Sequence, residues 1–202
     1  KRFLDSDRVR LAVLPERATS TSDSSVDRGV MPGASSSRQY SPPVPVHERL
    51  PNGLDLLYVE KSGLPMVSLG VLLNGGAAAD PVDRPGLAQM TAAMLVEGTS
   101  TRTSQQISEE MEFLGSMLYT DVGRDHLMVF ADTLTSNWPQ ALEIIADVLK
   151  DATFPARELV RVRREHLADL KRMSTDPTNI SQRAIRALLY GPDTAYGHAI
   201  GG

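Results

Sequence analysis

Residues 46–134 contain short apolar segments separated by tight-turn signals, and this arrangement restricts the fold to one built on an antiparallel sheet. Asn52-Gly53 separates a segment around His47–Leu50 from Leu54–Glu60, and an Asn-Gly pair in such a place is a strong signal for a hairpin turn. Gly123–Asp125 divides two further segments in the same way. Hairpins join antiparallel strands directly, whereas parallel strands need long crossovers. The segments predicted as strands are 47–50, 54–60, 66–73, 117–122 and 126–133.

Helical patterns alternate with these strands in blocks. Five larger side chains recur at helical spacing before Gly98, and we expect them to face the core. They are Leu87, Met90, Thr91, Met94 and Leu95. Because blocks of strands and helices are joined by hairpins, the predicted fold class is α+β with a mainly antiparallel sheet, rather than a doubly wound sheet. Further helices are predicted from Thr103 or Ser104 to Gly115, from Ser136 or Asn137 to Leu149, from Pro155 to Met173 and from Ile180 to Tyr190.

The first 45 residues differ in composition from the rest. Arg8–Leu14 is predicted to form one short strand. Residues 17–45 are rich in Ser and Pro and poor in large apolar residues. We expect them to form a flexible linker, because they could bury too little surface to offset the entropy lost on ordering. The compact domain is predicted to span residues 46–202.

The composition excludes several classes of function. The net charge of −4 gives no electrostatic argument for nucleic-acid binding. No apolar run has the length of a membrane span, so no transmembrane segment is predicted. The absence of cysteine excludes disulfides and thiolate metal sites, and it suits the cytoplasm and the periplasm equally. We nevertheless expect a periplasmic or membrane-associated location rather than a cytoplasmic one.

The helix before Gly98 also has three positions that are informative for what they lack. Gln89, Ala92 and Ala93 lie at i, i+3 and i+4, on one side of the helix. In an inverted zinc-peptidase motif, His-x-x-Glu-His, these positions hold two metal ligands and a general base. Glutamine is a poor zinc ligand and the alanines have no donor atom. None of the three residues can therefore perform that chemistry.

These positions and their flanks carry a family resemblance. Together with Asn74–Pro81 before them and Ser108–Gly115 after them, they resemble the pitrilysin/insulinase family of zinc metallopeptidases. The likeness runs from about Val46 to the C-terminus. The stretch resembles in particular the non-catalytic half found in two-part bacterial members and in the alpha subunit of mitochondrial processing peptidase.

The resemblance implies a fold, a partner and which of the two carries the zinc. The fold would be a sheet with helices packed on one face, and residues 46–202 would be a peptidase-like N-terminal domain that is truncated at its C-terminus. Residues 1–16 would be the tail of a preceding related domain, although an N-terminal strand that pairs within this domain is the alternative. The family's further acidic ligand would fall at Asp169, which alone would hold a metal weakly. Zinc is therefore expected in a catalytic partner and not in this chain.

Other polar residues have weaker functional interpretations. His166 lies on the apolar line of its helix and could act as a base, because histidine titrates near neutral pH. A packed, hydrogen-bonded histidine is the simpler interpretation. His198 lies in a loop and could contact substrate or simply face solvent. Glu109, Glu110 and Glu112 could form a carboxylate pair, but a solvated helix face explains them better.

Three functions are compatible with these residues and with the resemblance. The first is the non-catalytic half of a zinc peptidase, which forms chamber wall and binds unfolded peptide while a sister domain or subunit carries the zinc. The second is a structural scaffold or assembly subunit without proteolysis. The third is an active zinc metalloendopeptidase with atypical ligands, which is disfavoured because zinc sites need ligands of the right type and number.

Overall fold

The computed structural model describes residues 41–61 and 63–202. The predictions for residues 1–16, and for the linker up to residue 40, lie outside this range. The described chain divides after Val59 into two units. The strands are β1 (Val46–Arg49), β2 (Asp55–Tyr58), β3 (Met66–Asn74), β4 (Leu118–Val122) and β5 (His126–Leu134). The helices are α1 (Leu87–Leu95), α2 (Ser104–Phe113), α3 (Trp138–Lys150), α4 (Ala156–Met173) and α5 (Pro177–Tyr190).

The first unit contributes the predicted hairpin. β1 pairs antiparallel with β2, with Val46 opposite Tyr58. The Leu50 amide donates to the Leu54 carbonyl over 2.8 Å and closes the turn. Gly53 adopts a φ of 88°, a left-handed conformation that glycine reaches without steric cost. The Asn52-Gly53 signal therefore marks a real hairpin.

The second unit is built on a three-stranded antiparallel sheet in the order β3-β5-β4. β5 is the central strand, because it pairs along its full length with β3 and along its first part with β4. Its odd-numbered residues Leu127, Val129, Ala131 and Thr133 are all buried. Since side chains alternate across a strand, this side of the sheet faces the core.

Helices cover that side of the sheet. The buried cluster combines the β5 residues with side chains from α1, α2 and α3. Ala141, Ile145 and Val148 of α3 are fully buried, at the spacing that places residues on one helical face. The predicted α+β class, with helices packed on one face of a mainly antiparallel sheet, is confirmed.

The buried side of α1 differs from the predicted one. Met94 and Leu95 are buried as expected, but Leu87 is 46% exposed. Ala92, which lies on the motif side of the helix, is only 1% exposed and belongs to the core cluster. α1 lies against both β4 and α4. A helix covered on two sides buries more than the single stripe that a periodicity argument assumes.

Candidate functional site

The N-terminus of α1 is fixed by a carboxylate from the preceding loop. Asp80 accepts hydrogen bonds from the Gly86 amide over 2.7 Å and from the Ala88 amide over 2.8 Å. Free amides and a positive dipole end make a helix N-terminus a favourable place for a carboxylate. Gly86 itself has a φ of 91°, and a Cβ there would lie 2.6 Å from the Gly201 carbonyl oxygen. This close approach explains the glycine that opens the helix.

α1 and α4 lie side by side and run in opposite directions. Glu97, just after the end of α1, forms an ion pair with Arg161 near the start of α4. At the other end, His166 of α4 donates from Nε2 to the Gly201 carbonyl over 2.8 Å, and Gly201 packs against Gly86. Because the end of α1 lies near Arg161 and its start lies near His166, further along α4, the two helices are antiparallel.

The Glu97–Arg161 pair relates the weak metal candidate to the degenerate motif. From this contact, Gln89 is about two turns back along α1, and Asp169 is about two turns forward along α4. Both steps are roughly 12 Å. Counted from this one ion pair, the Gln89 and Asp169 positions fall at the same level of the helix pair.

The side chains present there do not fit zinc. Gln89 and Ala93 are half-buried, and Ala92 is 1% exposed with no polar atom on its side chain. The Asp169 side chain is 59% exposed and pairs with Arg172 over 2.9 Å. Within residues 41–61 and 63–202, no three His, Cys, Asp or Glu side chains are close enough to hold a metal ion together. A catalytic zinc needs three protein ligands, so this donor set supports no metal-dependent step.

The other candidate residues have structural partners. His166 is bonded to the Gly201 carbonyl, as above, and His198 has both ring nitrogens within 3.1 Å of the carbonyl oxygens of Thr194 and Ala77. Glu110 pairs with Arg102 over 2.9 Å. Glu109 accepts from Gln105. The structure brings none of these groups next to Gln89, Ala92 or Ala93 in the contacts that it records.

Among the residues that the structure describes, β4 is an edge strand of the second unit's sheet, and it lies beside α1. The Gly123 amide donates to the His126 carbonyl over 2.9 Å where the β4–β5 hairpin closes. Hydrogen-bonded pairs recur at every second position of an antiparallel ladder. The intervening residues Leu118, Thr120 and Val122 therefore direct their amides and carbonyls away from β5, towards the edge.

A cavity of about 460 Å³ opens at the start of this edge strand. Val96 from the end of α1, Ile107 and Met111 from α2, and Leu118 from β4 provide apolar lining. Glu97, Glu112 and Arg161 provide the charges. Hydrogen bonds from Arg161 to Glu97, Glu158 and Glu165 raise the pKa of its guanidinium above the ordinary value. The sequence predicted neither the cavity nor the edge, because no local signal states which strand lacks a second partner.

Fold and site together describe an α+β domain whose helix α1 has no donor atoms suited to zinc at Gln89, Ala92 and Ala93. Comparison with known proteins assigns the family. The model of the insulinase family, peptidase family M16, matches residues 56–199. The chain belongs to this family.

Individual relatives agree with the family assignment. The chain is 28% identical over 145 residues to a probable mitochondrial-processing peptidase subunit beta of Arabidopsis thaliana, and 23% identical over 142 residues to an uncharacterized zinc protease of Rickettsia felis. These alignments cover 71% and 70% of this chain, but only 27% and 34% of the relatives. The processing-peptidase relatives are beta subunits, whereas the motif positions predicted a likeness to the alpha subunit.

Two solved structures share the fold. An inactive M16 peptidase domain from Pseudomonas fluorescens matches with a TM-score of 0.72 and 28% identity, covering 79% of this chain and 39% of that one. Pitrilysin matches with a TM-score of 0.68 and 17% identity, over 81% of this chain and 18% of that one. The second likeness supports the fold alone, whereas the first is to a domain described as inactive.

Proposed function

We propose that this chain is the non-catalytic half of a two-part zinc metallopeptidase, and that a sister domain or subunit of the same family carries the zinc. The observation that carries the proposal is the set Gln89, Ala92 and Ala93, which has the spacing of the family's His-x-x-Glu-His motif but no metal ligand or base. Ala92 is moreover closed into the core at 1% exposure. The chain's likeness to an inactive M16 domain supports the same role.

In this proposal the chain supplies chamber wall and a peptide-binding surface. The β4 edge is the part of the second unit suited to an extended peptide, because a strand that adds there would pair with the outward amides and carbonyls of Leu118, Thr120 and Val122. Such strand addition is a general mode of peptide recognition. It needs an unfolded substrate, since a folded chain has already used its backbone hydrogen bonds.

The metal test separates this proposal from an active peptidase. The purified chain is dialysed against micromolar zinc, and bound metal is measured by mass spectrometry together with cleavage of an unstructured casein substrate. We expect well below one zinc per chain and no cleavage above a metal-free control. One tightly held zinc per chain, accompanied by cleavage, would instead establish an active enzyme with atypical ligands.

The partner test addresses the sister subunit. The chain is mixed with an M16 polypeptide from the same source that carries an intact His-x-x-Glu-His motif, and mass is followed by light scattering during gel filtration. We expect a complex that degrades casein faster than the motif-bearing polypeptide alone. A complex without any change in proteolysis would favour the scaffold alternative, and no complex would refute the partnership.

A further inference from the structure

The cavity at the start of β4 has the form of a side-chain pocket. Its apolar lining comes from three elements, with Val96 at the end of α1, Met111 on α2 and Leu118 on β4. Leu118 is also the first β4 residue whose main chain points to the open edge. A peptide that pairs with this edge would therefore pass the mouth of the cavity, and a side chain of that peptide could enter it.

The charges around the cavity favour one kind of occupant. Glu112 lines it and accepts only a 3.3 Å hydrogen bond from Ser108, and it has no salt-bridge partner in the part of the chain that the structure describes. Glu97 is paired with Arg161, the one cation of the lining. Arg161 also binds Glu158 and Glu165. The lining itself holds two carboxylates, Glu97 and Glu112, and one guanidinium, so its formal charge is negative.

We propose that this cavity binds the side chain of a lysine or arginine in a peptide added to β4, with the aliphatic stem against the apolar lining and the cationic head at Glu112. The proposal rests on the peptide-binding role proposed above. Long basic side chains commonly bury their stems and keep the charge at a polar rim. An acidic side chain would meet Glu112 with like charge, and a purely apolar one would cover Glu112 without pairing it.

The test uses fluorescein-labelled heptapeptides of alternating valine and threonine with arginine, norleucine or glutamate at the centre. Binding to the chain is measured by fluorescence anisotropy at low salt. We expect the arginine peptide to bind roughly fivefold more tightly than the norleucine peptide. The glutamate peptide should bind most weakly, and added salt should reduce the differences between the peptides.

Three variants test the preference for arginine and the pairing of the peptide with β4. Glu112→Gln should abolish the advantage of arginine, while Glu109→Gln, on the same helix but outside the cavity lining, should retain it. Thr120→Pro, outside the cavity lining, removes an outward amide of the edge strand β4, where proline is tolerated. This substitution should weaken the binding of all three peptides equally. Circular dichroism would establish that each variant is folded.

The outcomes distinguish the two proposals. If the peptides bind with no preference for arginine, or if the preference survives Glu112→Gln, the pocket assignment is wrong and the peptide-binding role stands. If none of the peptides binds, the peptide-binding role itself fails and the pocket assignment fails with it.

Discussion

At the scale of single residues, one carboxylate outside the motif positions 89, 92 and 93 is held in place by several hydrogen bonds. Asp147 of α3 accepts hydrogen bonds from Arg102 over 2.7 Å, from Thr99 over 2.8 Å and from Thr101 over 3.1 Å. Burial acts to raise the pKa of the Asp147 carboxyl, but these hydrogen bonds and the Arg102 charge outweigh it, so the pKa is lowered. The group ties the loop before α2 to α3.

Asp147→Asn should therefore destabilise the fold. The variant keeps a side-chain oxygen but loses the charge that Arg102 and the two threonines bind, and hydrogen bonds to charged groups are worth about 1.5–3 kcal/mol. We expect the free energy of unfolding to fall by about 1–3 kcal/mol near neutral pH. Urea denaturation followed by circular dichroism measures the change, and Asp151→Asn is the matched control because Asp151 is exposed.

The wild type and the Asp147→Asn variant also allow a test of how this stabilisation depends on pH. Because the folded pKa of Asp147 is lowered, its contribution is complete above the ordinary aspartate value of about 3.9. It is lost as the pH falls through the folded value. The stability gap between the wild type and Asp147→Asn should thus be full at about pH 7 and shrink below about pH 4. A gap that is constant across this range would show that the charge of Asp147 does not stabilise the fold.

The amino-acid types at the motif positions predicted which chemistry is possible there better than they predicted which side chains are buried. The absence of donor atoms suited to zinc at Gln89 and Ala93 can be seen in the sequence, because a side chain's ligating ability is a property of the residue. The burial of Ala92 could not be foreseen, since it depends on β4 and α4 both lying against α1. Those two elements are far from Ala92 in sequence, and local periodicity contains no information about them.

At the scale of elements, helix caps and turn residues were the most informative signals. The structure selects Thr103 from the two predicted caps of α2. Its hydroxyl accepts from the Gln106 amide, while the Gln106 side chain accepts from the Thr103 amide over 2.9 Å. Strand limits were less predictable. Leu73 continues the alternation of Val67, Leu69 and Val71, yet it is 41% exposed near the end of β3.

The capping pair of α2 can be tested by substitution. Thr103→Ala removes the acceptor for the Gln106 amide, and loss of an N-cap side chain costs about 0.5–2 kcal/mol. We expect a decrease in unfolding free energy in that range, measured by urea denaturation. Thr135→Ala, at an exposed threonine after β5, should change stability by less than about 0.5 kcal/mol. Equal effects at both positions would mean that the capping box contributes nothing.

At the scale of the whole molecule, the α+β class followed from the block order of strands and helices, but the site did not. The edge at β4 exists because β5 lies between β3 and β4, an order set by pairing between distant segments. The cavity needs α1, α2, β4 and α4 at once. Such features depend on long-range packing, which turn signals and periodicity do not specify.

The position of α1 beside α4 leads to a last prediction. We expect that the backbone of an M16 zinc site is present and that only its ligating side chains are missing. Gln89→His with Ala93→His places two imidazoles one turn apart on α1, and Asp169→Glu restores a longer carboxylate on the neighbouring helix. Three ligands with an open position suit zinc. We expect this triple variant to bind one zinc per chain without cleaving peptide, because Ala92 still provides no base.

The contribution of residue 169 distinguishes a zinc site with three ligands from one made by the two histidines alone. Replacing Asp169 by alanine beside the same two histidines should weaken zinc binding on the order of tenfold, because a ligand is lost. Gln105→His with Glu109→His gives the same histidine spacing on the exposed side of α2, and isothermal titration should find it no tighter than that alanine variant. If residue 169 made no difference, α4 would not face the degenerate motif, and the antiparallel register inferred from the Glu97–Arg161 pair would be wrong.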